Sequence, residues 1–261
     1  MIGGICLNRE VCGLNIHYIE EGEGPLVVLL HGWGSNIELF QPTVDLLKNK
    51  YKVVTMDMPG FGQSEEPDEP WDVDRYVDFL LAFLEPYHPD KVILLGHSFG
   101  GRVIIKLCAR DLPFNVEKVI LVDSAGVLPV KSPWEKFKQK LIRLTKWFFQ
   151  LKLVQKLFPH LLETLRRSSG SADYNAASPL MRQTLVKVVN EDLCDLMPRI
   201  VCPTLLIWGT ADTATPFSDA LKMNELMPES AIVRLEGAGH YSFLERQEQY
   251  LRVLASFFNV S

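Results

Sequence analysis

The sequence predicts an α/β fold, a mostly parallel sheet flanked by helices, on three observations. Short, continuously apolar runs of strand length recur along the 261 residues. Most are separated by stretches of helical pattern, an alternation that builds parallel sheets buried on both faces. Length, with 47% hydrophobic and 23% charged residues, suits one large domain with an extensive core.

Taken in order, "VCGLNIHYIEEGEG" (11–24) reads as an antiparallel hairpin at the sheet edge. Strands follow at 26–30 ("LVVLL"), 52–56 ("KVVTM"), 91–95 ("KVILL"), 118–122 ("KVILV"), 204–208 ("TLLIW") and 231–235 ("AIVRL"). Helices are expected at 71–85, 99–110, 217–227 and 243–258. Between 127 and 198 no convincing strand occurs and helical segments follow one another. That stretch reads as a helical cap or lid on the carboxyl side of the sheet, where ligand crevices form in open α/β folds. The core is then 1–126 plus 199–261, and the cap 127–198.

A net charge of −5 gives no reason to expect a nucleic-acid partner. No run approaches the roughly 18 apolar residues of a membrane span, and the first twenty residues lack a signal-peptide core, so a cytoplasmic protein is expected. Five cysteines at 6, 12, 108, 194 and 202 lack metal-type or C-x-x-C spacing, and most read as reduced core residues. Residues 131–167 carry ten Lys or Arg against two Glu, with Trp134, Phe137, Leu141, Leu144, Phe148 and Leu151 at helical spacing. Two readings stay open there: a lid helix with its charges in water, or contact with anionic lipid or a lipid-like substrate. Oligomeric state is not legible.

The chemistry starts at "LLGHSFGGR" (94–102). Ser98 stands between an apolar strand and a helix, in the G-x-S-x-G spacing of a nucleophile elbow, whose sharp turn leaves room only for small neighbours. A serine hydroxyl attacks well only if a base takes its proton and a third group orients that base.

With "LLHGWGSN" (29–36), "DMPGFGQS" (57–64), "LIWGTADTATP" (206–216) and "GAGHYSF" (237–243) in the same order, the chain resembles the α/β-hydrolase superfamily over nearly its whole length. The resemblance implies a central sheet of about eight strands, a variable cap, and a triad in the order Ser, acid, His. Of the histidines at 17, 31, 88, 97, 160 and 240, only His240 follows both the elbow and the late acidic loop. His31 and His97 read as structural, and His17, His88 and His160 as surface or packing residues. Asp212, just after "TLLIW", is the preferred acid; Asp123, just after "VILV", is the rival, read otherwise as binding loop backbone or lining the pocket. Phe99, following the nucleophile, supplies one backbone N–H of an oxyanion hole, and the resemblance implies Trp33 as the other. Trp33, Phe99, Asp123, Trp134 and Tyr241 are the pocket candidates. Asp57, among glycines and a proline, reads as a turn-fixing carboxylate rather than a metal ligand.

A serine elbow fits hydrolysis of esters or related acyl compounds through an acyl-enzyme, on a small substrate with an apolar portion. Carbon–carbon bond hydrolysis, proline-releasing peptidase and acyltransferase activities share the scaffold, and a sensor retaining the triad is the reading from another class. No metal or nucleotide motif is visible, so no cofactor is expected.

Overall fold

A computed structural model describes residues 5–128 and 172–260. Eight strands form one sheet: β1 (Ile5–Val11), β2 (Leu14–Glu21), β3 (Leu26–Leu30), β4 (Lys52–Met56), β5 (Lys91–His97), β6 (Asn115–Val122), β7 (Thr204–Gly209) and β8 (Ser230–Leu235), in the order β1-β2-β4-β3-β5-β6-β7-β8. β1 and β2 are the expected antiparallel hairpin, turned at Cys12 and Gly13 with positive φ. Every pairing from β4 across to β8 is parallel.

All five residues of β3 are buried, which only a strand covered on both faces requires. The pleat divides them. Val28 and Leu30 point to the layer holding α2 (Val73–Leu84) and α3 (Phe99–Cys108), while Val27 and Leu29 point to the layer holding α1 (Gln41–Leu47) and the C-terminal helix. Two cores thus sandwich the sheet. Helix α2 shows why its residues are helical: Asp72 accepts a hydrogen bond from Arg75 N, and Val73, Tyr76, Val77, Leu80, Phe83 and Leu84 line one buried stripe.

Beyond residue 172 come α4 (Ala172–Ala176), α5 (Pro179–Val189) and a 3₁₀ segment at Cys194–Arg199, with no strand among the described residues before β7. α5 is clamped onto the loop after β4: Trp71 N donates to Thr184 Oγ1 at 3.1 Å, Lys187 Nζ to Pro70 O at 2.6 Å, and Ser178 Oγ to Glu66 Oε1 at 2.6 Å. The Glu191 backbone carbonyl and carboxylate accept from Arg102 and Lys106 of α3. The remainder of the expected cap, including the basic 131–167 stretch, lies outside the described residues.

The single C-terminal helix expected at 243–258 is two. After α6 (Phe217–Leu226), α7 (Ser242–Glu245) ends where Arg246 leaves helical geometry at φ −124° and ψ 42°, and α8 (Gln247–Phe258) follows. The break is imposed from outside the helix. Ser242 is held by a buried carboxylate, and the Glu245 side chain turns back to accept from Gly239 N at 3.0 Å. Helix α1, with its preceding 3₁₀ turn at Ile37–Phe40, was not expected; the proline near its start suits a first helical turn, where no intrahelical N–H bond is lost. The cysteines are free: Cys108 and Cys202 are half-buried and pack against the core, Cys194 is half-buried, and Cys6 and Cys12 are exposed on the edge hairpin rather than in the core.

Candidate active site

The strand order reverses at β3, which has β4 on one side and β5 on the other, so the loops after β3 and β5 leave in opposite directions and open a crevice. Leu30 pairs with Gly96, placing "HGWG" directly beside "HSFG". The adjacent carboxyl ends of β6, β7 and β8 release Asp123, Asp212 and His240. Register therefore brings His240 to Ser98, 142 positions away in the chain.

Ser98 has φ 50° and ψ −110°, a conformation that a residue with a Cβ adopts only under constraint. The constraint is visible: Ser98 N donates to Val122 O, and its carbonyl accepts from Ala125 N, both at 3.0 Å. A methyl group at Gly100 would sit 2.1 Å from Leu30 O, so α3 can approach β3 this closely only without one. One at Gly32 would lie 2.6 Å from His97 Nδ1 and 3.3 Å from Ser98 Cβ, so the β3 loop also presses against the elbow.

Ser98 Oγ lies 2.9 Å from His240 Nε2, and His240 Nδ1 lies 2.8 Å from Asp212 Oδ2. The acid is set by its own loop. Asp212 Oδ1 accepts from Ala214 N at 2.7 Å and Thr215 N at 3.1 Å, and Thr215 Oγ1 sits 2.7 Å from Asp212 Oδ2. Burial alone would push the Asp212 carboxyl up, but the hydrogen bonds from His240 and Thr215 reverse this and leave its pKa below normal. Burial would likewise depress His240; the Asp212 hydrogen bond and charge, aided by the charges of Asp123 and Asp173, outweigh it and leave the imidazole more basic than usual. With the neutral ring donating through Nδ1 to Asp212, Nε2 is the acceptor facing the serine hydroxyl.

Phe99 is the first residue of α3, so its N–H has no intrahelical acceptor. Trp33 N belongs to the loop pressed on the elbow, and no acceptor for it occurs among the described residues. The Trp33 and Phe99 rings pack edge to face at 5.5 Å, and Phe61 lies 4.8 Å from Trp33, giving this side of the crevice an aromatic wall. Tyr241, 38% exposed, stands at the rim beside the His97 and His240 rings, its hydroxyl 3.5 Å from Ser35 Oγ. Trp134 lies outside the described residues.

Asp123 does not line the crevice. It is fully buried, and both carboxylate oxygens are occupied: Oδ1 accepts from Gly209 N at 2.8 Å, and Oδ2 accepts from Ser242 N at 3.1 Å and Ser242 Oγ at 2.6 Å. His31 and His97 are buried and structural. His31 Nε2 accepts from Met58 N at 2.9 Å, and His97 Nε2 donates to the His240 carbonyl at 2.8 Å, tying the elbow to the histidine loop. Burial drives the His97 pKa down to about 3, so the ring stays neutral. His17 is neither on the surface nor mere packing: its Nδ1 bonds Asp57 Oδ2 at 2.9 Å.

Sequence reasoning missed Thr215, Ser242 and Asp173. The first had a signal: in "DTATP" a threonine three residues after the acid has the spacing of an Asx-type turn. Asp173, on α4, had none; its Oδ1 lies 3.9 Å from where a Cβ on Gly34 would stand, so it borders the mouth only because α4 folds back onto the β3 loop.

A family model described as the alpha/beta hydrolase fold matches residues 25–247. The chain is similar to the AB hydrolase superfamily protein YisY of Bacillus subtilis, 28% identical over 93% of this chain and 95% of that one. It is also similar to a pimeloyl-[acyl-carrier protein] methyl ester esterase of Aliivibrio fischeri, 29% identical over 94% and 97%. Among solved structures, an esterase from Exiguobacterium antarcticum superposes with a TM-score of 0.75 at 26% identity, covering 97% of this chain and 99% of that one.

Proposed function

This chain belongs to the alpha/beta hydrolase fold family, and from that premise we propose that it hydrolyses carboxylic esters with an apolar portion through an acyl-enzyme on Ser98. The observation that carries the reading is the hydrogen-bonded series Ser98–His240–Asp212 at the carboxyl edge of the sheet. The named activities of the methyl ester esterase and the esterase relative agree with it.

In this reading Ser98 Oγ attacks the ester carbonyl carbon as its proton passes to His240 Nε2, and Asp212 stabilises the imidazolium. Negative charge develops on the carbonyl oxygen, where the N–H groups of Trp33 and Phe99 offset it in a dry crevice. Collapse breaks the bond to the alkoxy oxygen, which takes the proton from His240 and departs as an alcohol. Water then attacks the acyl-enzyme, giving its proton to His240; that proton returns to Ser98 as the carboxylic acid leaves. The cycle needs no group beyond these residues and water. The aromatic wall of Trp33, Phe61 and Phe99 receives the apolar part of the substrate.

The test is hydrolysis of p-nitrophenyl esters from acetate to decanoate by the wild type and Ser98→Ala. The expected result is turnover in the wild type, with an acyl-length optimum, that the substitution abolishes. Undiminished turnover in Ser98→Ala, or none in the wild type on any ester, overturns the reading.

A further inference from the structure

Every residue of the proposed triad sits on a loop, and a loop holds a side chain to a few tenths of an ångström only if something braces it. The brace common to these loops is Asp123. Its Oδ1 takes the N–H of Gly209, three residues before Asp212; its Oδ2 takes the N–H and hydroxyl of Ser242, two residues after His240. Its carbonyl lies 3.0 Å from Thr215 Oγ1, the hydroxyl that also reaches Asp212 Oδ2 and stands 3.3 Å from His240 Nδ1. Its own N–H donates to Ile207 O at 3.0 Å, while the preceding carbonyl, of Val122, accepts from Ser98 N. One buried residue is thus bonded to the acid loop and the histidine loop, and its neighbour to the serine.

Local geometry shows that the position is maintained against cost. Asp123 has φ 45°, a left-handed conformation, and its carboxylate is removed from water. A purely structural residue here could be apolar, as its neighbours Leu121 and Val122 are. What an apolar residue could not supply is a charged acceptor for three donors from two loops.

We propose that Asp123 is a positioning residue for His240: it fixes the imidazole between Ser98 and Asp212 by clamping Gly209 and Ser242. The role presupposes the hydrolytic reading for its consequence in turnover but not for its effect on His240 itself. The groups facing Asp123 are Asp212 from the β7–α6 loop, His240 from the β8–α7 loop, and Tyr250 from α8, whose hydroxyl lies 3.1 Å from Thr43 Oγ1 of α1. Burial, with the Asp212 charge, lifts the Asp123 carboxyl to about 7 against its three donors, and the Asp123 charge is in turn one of those that raise the His240 pKa.

The experiment compares wild type, Asp123→Asn and Ser242→Ala in two readouts. The first is the pH dependence of kcat and KM on p-nitrophenyl butyrate. The second is the low-field proton resonance of the His240 Nδ1–H bonded to Asp212, which needs no turnover. Asparagine turns an N–H₂ toward donors, so Asp123→Asn is expected to lower kcat about tenfold with KM within about twofold, to move the base limb down by about 0.5 pH unit, and to shift the resonance. Ser242→Ala keeps the charge and loses one hydroxyl, and is expected to lower kcat about threefold and shift the resonance less. Should Asp123→Asn fail to fold, Ser242→Ala decides by the same two readouts. Wild-type kcat, base limb and resonance in the folded variants, with only thermal stability reduced, overturn the positioning role. If the wild type does not turn over the ester, the hydrolytic reading fails, and the resonance alone decides: displaced in the variants it supports the role, unmoved it overturns it.

Discussion

Two Asp–His pairs of nearly equal length stand among the described residues, and only one of them faces a serine hydroxyl. His240 Nδ1 meets Asp212 Oδ2 at 2.8 Å; His17 Nδ1 meets Asp57 Oδ2 at 2.9 Å. The His240 side chain is 23% exposed and offers Nε2 to Ser98, whereas the His17 and Asp57 side chains are 3% and 2% exposed. Asp57 also accepts from Ile37 N and Gln63 N, both at 2.9 Å, so it pins the start of the 3₁₀ turn and the loop after β4 to strand β2. An Asp–His pair is therefore a local geometry with two uses. It offers a base where the second nitrogen of the ring meets a hydroxyl, and it serves architecture where the carboxylate ties together backbone from separate segments.

The comparison breaks most sharply at the two acids. Asp212→Asn is expected to lower kcat by ~10³ or more, because the amide favours the wrong imidazole tautomer, with the midpoint of chemical unfolding little changed. Asp57→Asn is expected to do the reverse. It should cost about 3 kcal/mol of stability, seen as a lower denaturation midpoint, since it turns a donor toward buried donors, while kcat per folded molecule stays at the wild-type level. A loss of turnover in folded Asp57→Asn would show that the two pairs are not separate in function.

A smaller effect is expected at Thr215. Thr215→Val removes the hydroxyl beside Asp212 Oδ2 and should lower kcat by about five- to tenfold, with the base limb moving to lower pH or staying put but not rising. The pH profile of the wild type sharpens the same point. His240 must be neutral to take the serine proton, and its pKa is raised, so kcat/KM should rise with pH through a midpoint above the ordinary imidazole value of about 6.5. The smallest effect belongs to Asp173→Asn. Removing one of the charges that raise His240 should shift that midpoint down by a few tenths of a unit at low ionic strength, and less in high salt.

Much of the site was legible because each part carries a local signature. A serine between glycines after an apolar run announces the elbow, since the turn physically excludes side chains there; Gly100 against Leu30 O shows that exclusion directly. Asp212 and His240 each follow an apolar strand, and the boundaries of β3 and β4 coincide with the residues expected. What stayed open was of another kind. Asp123 was read as binding loop backbone or lining the pocket, because a carboxylate at a strand end gives no hint of which donors will meet it. Its partners Gly209 and Ser242 are 86 and 119 residues away. The split of the C-terminal helix at Arg246 was invisible for the same reason: the sequence is helical in pattern, and the force that breaks it comes from Asp123 and Gly239.

The sequence by itself determined the strands, the order of the candidate residues along the chain and the place of Ser98 on a tight strand-to-helix turn, because these follow from burial periodicity and from turns only small residues can make. The tertiary structure alone decided which of two carboxylates faces the imidazole and which grips the loops behind it, which Asp–His pair meets a serine, and which residue of α4 borders the mouth. Those choices depend on sheet order and register, through distances of about 3 Å between groups far apart in the chain, and no local pattern encodes such a distance.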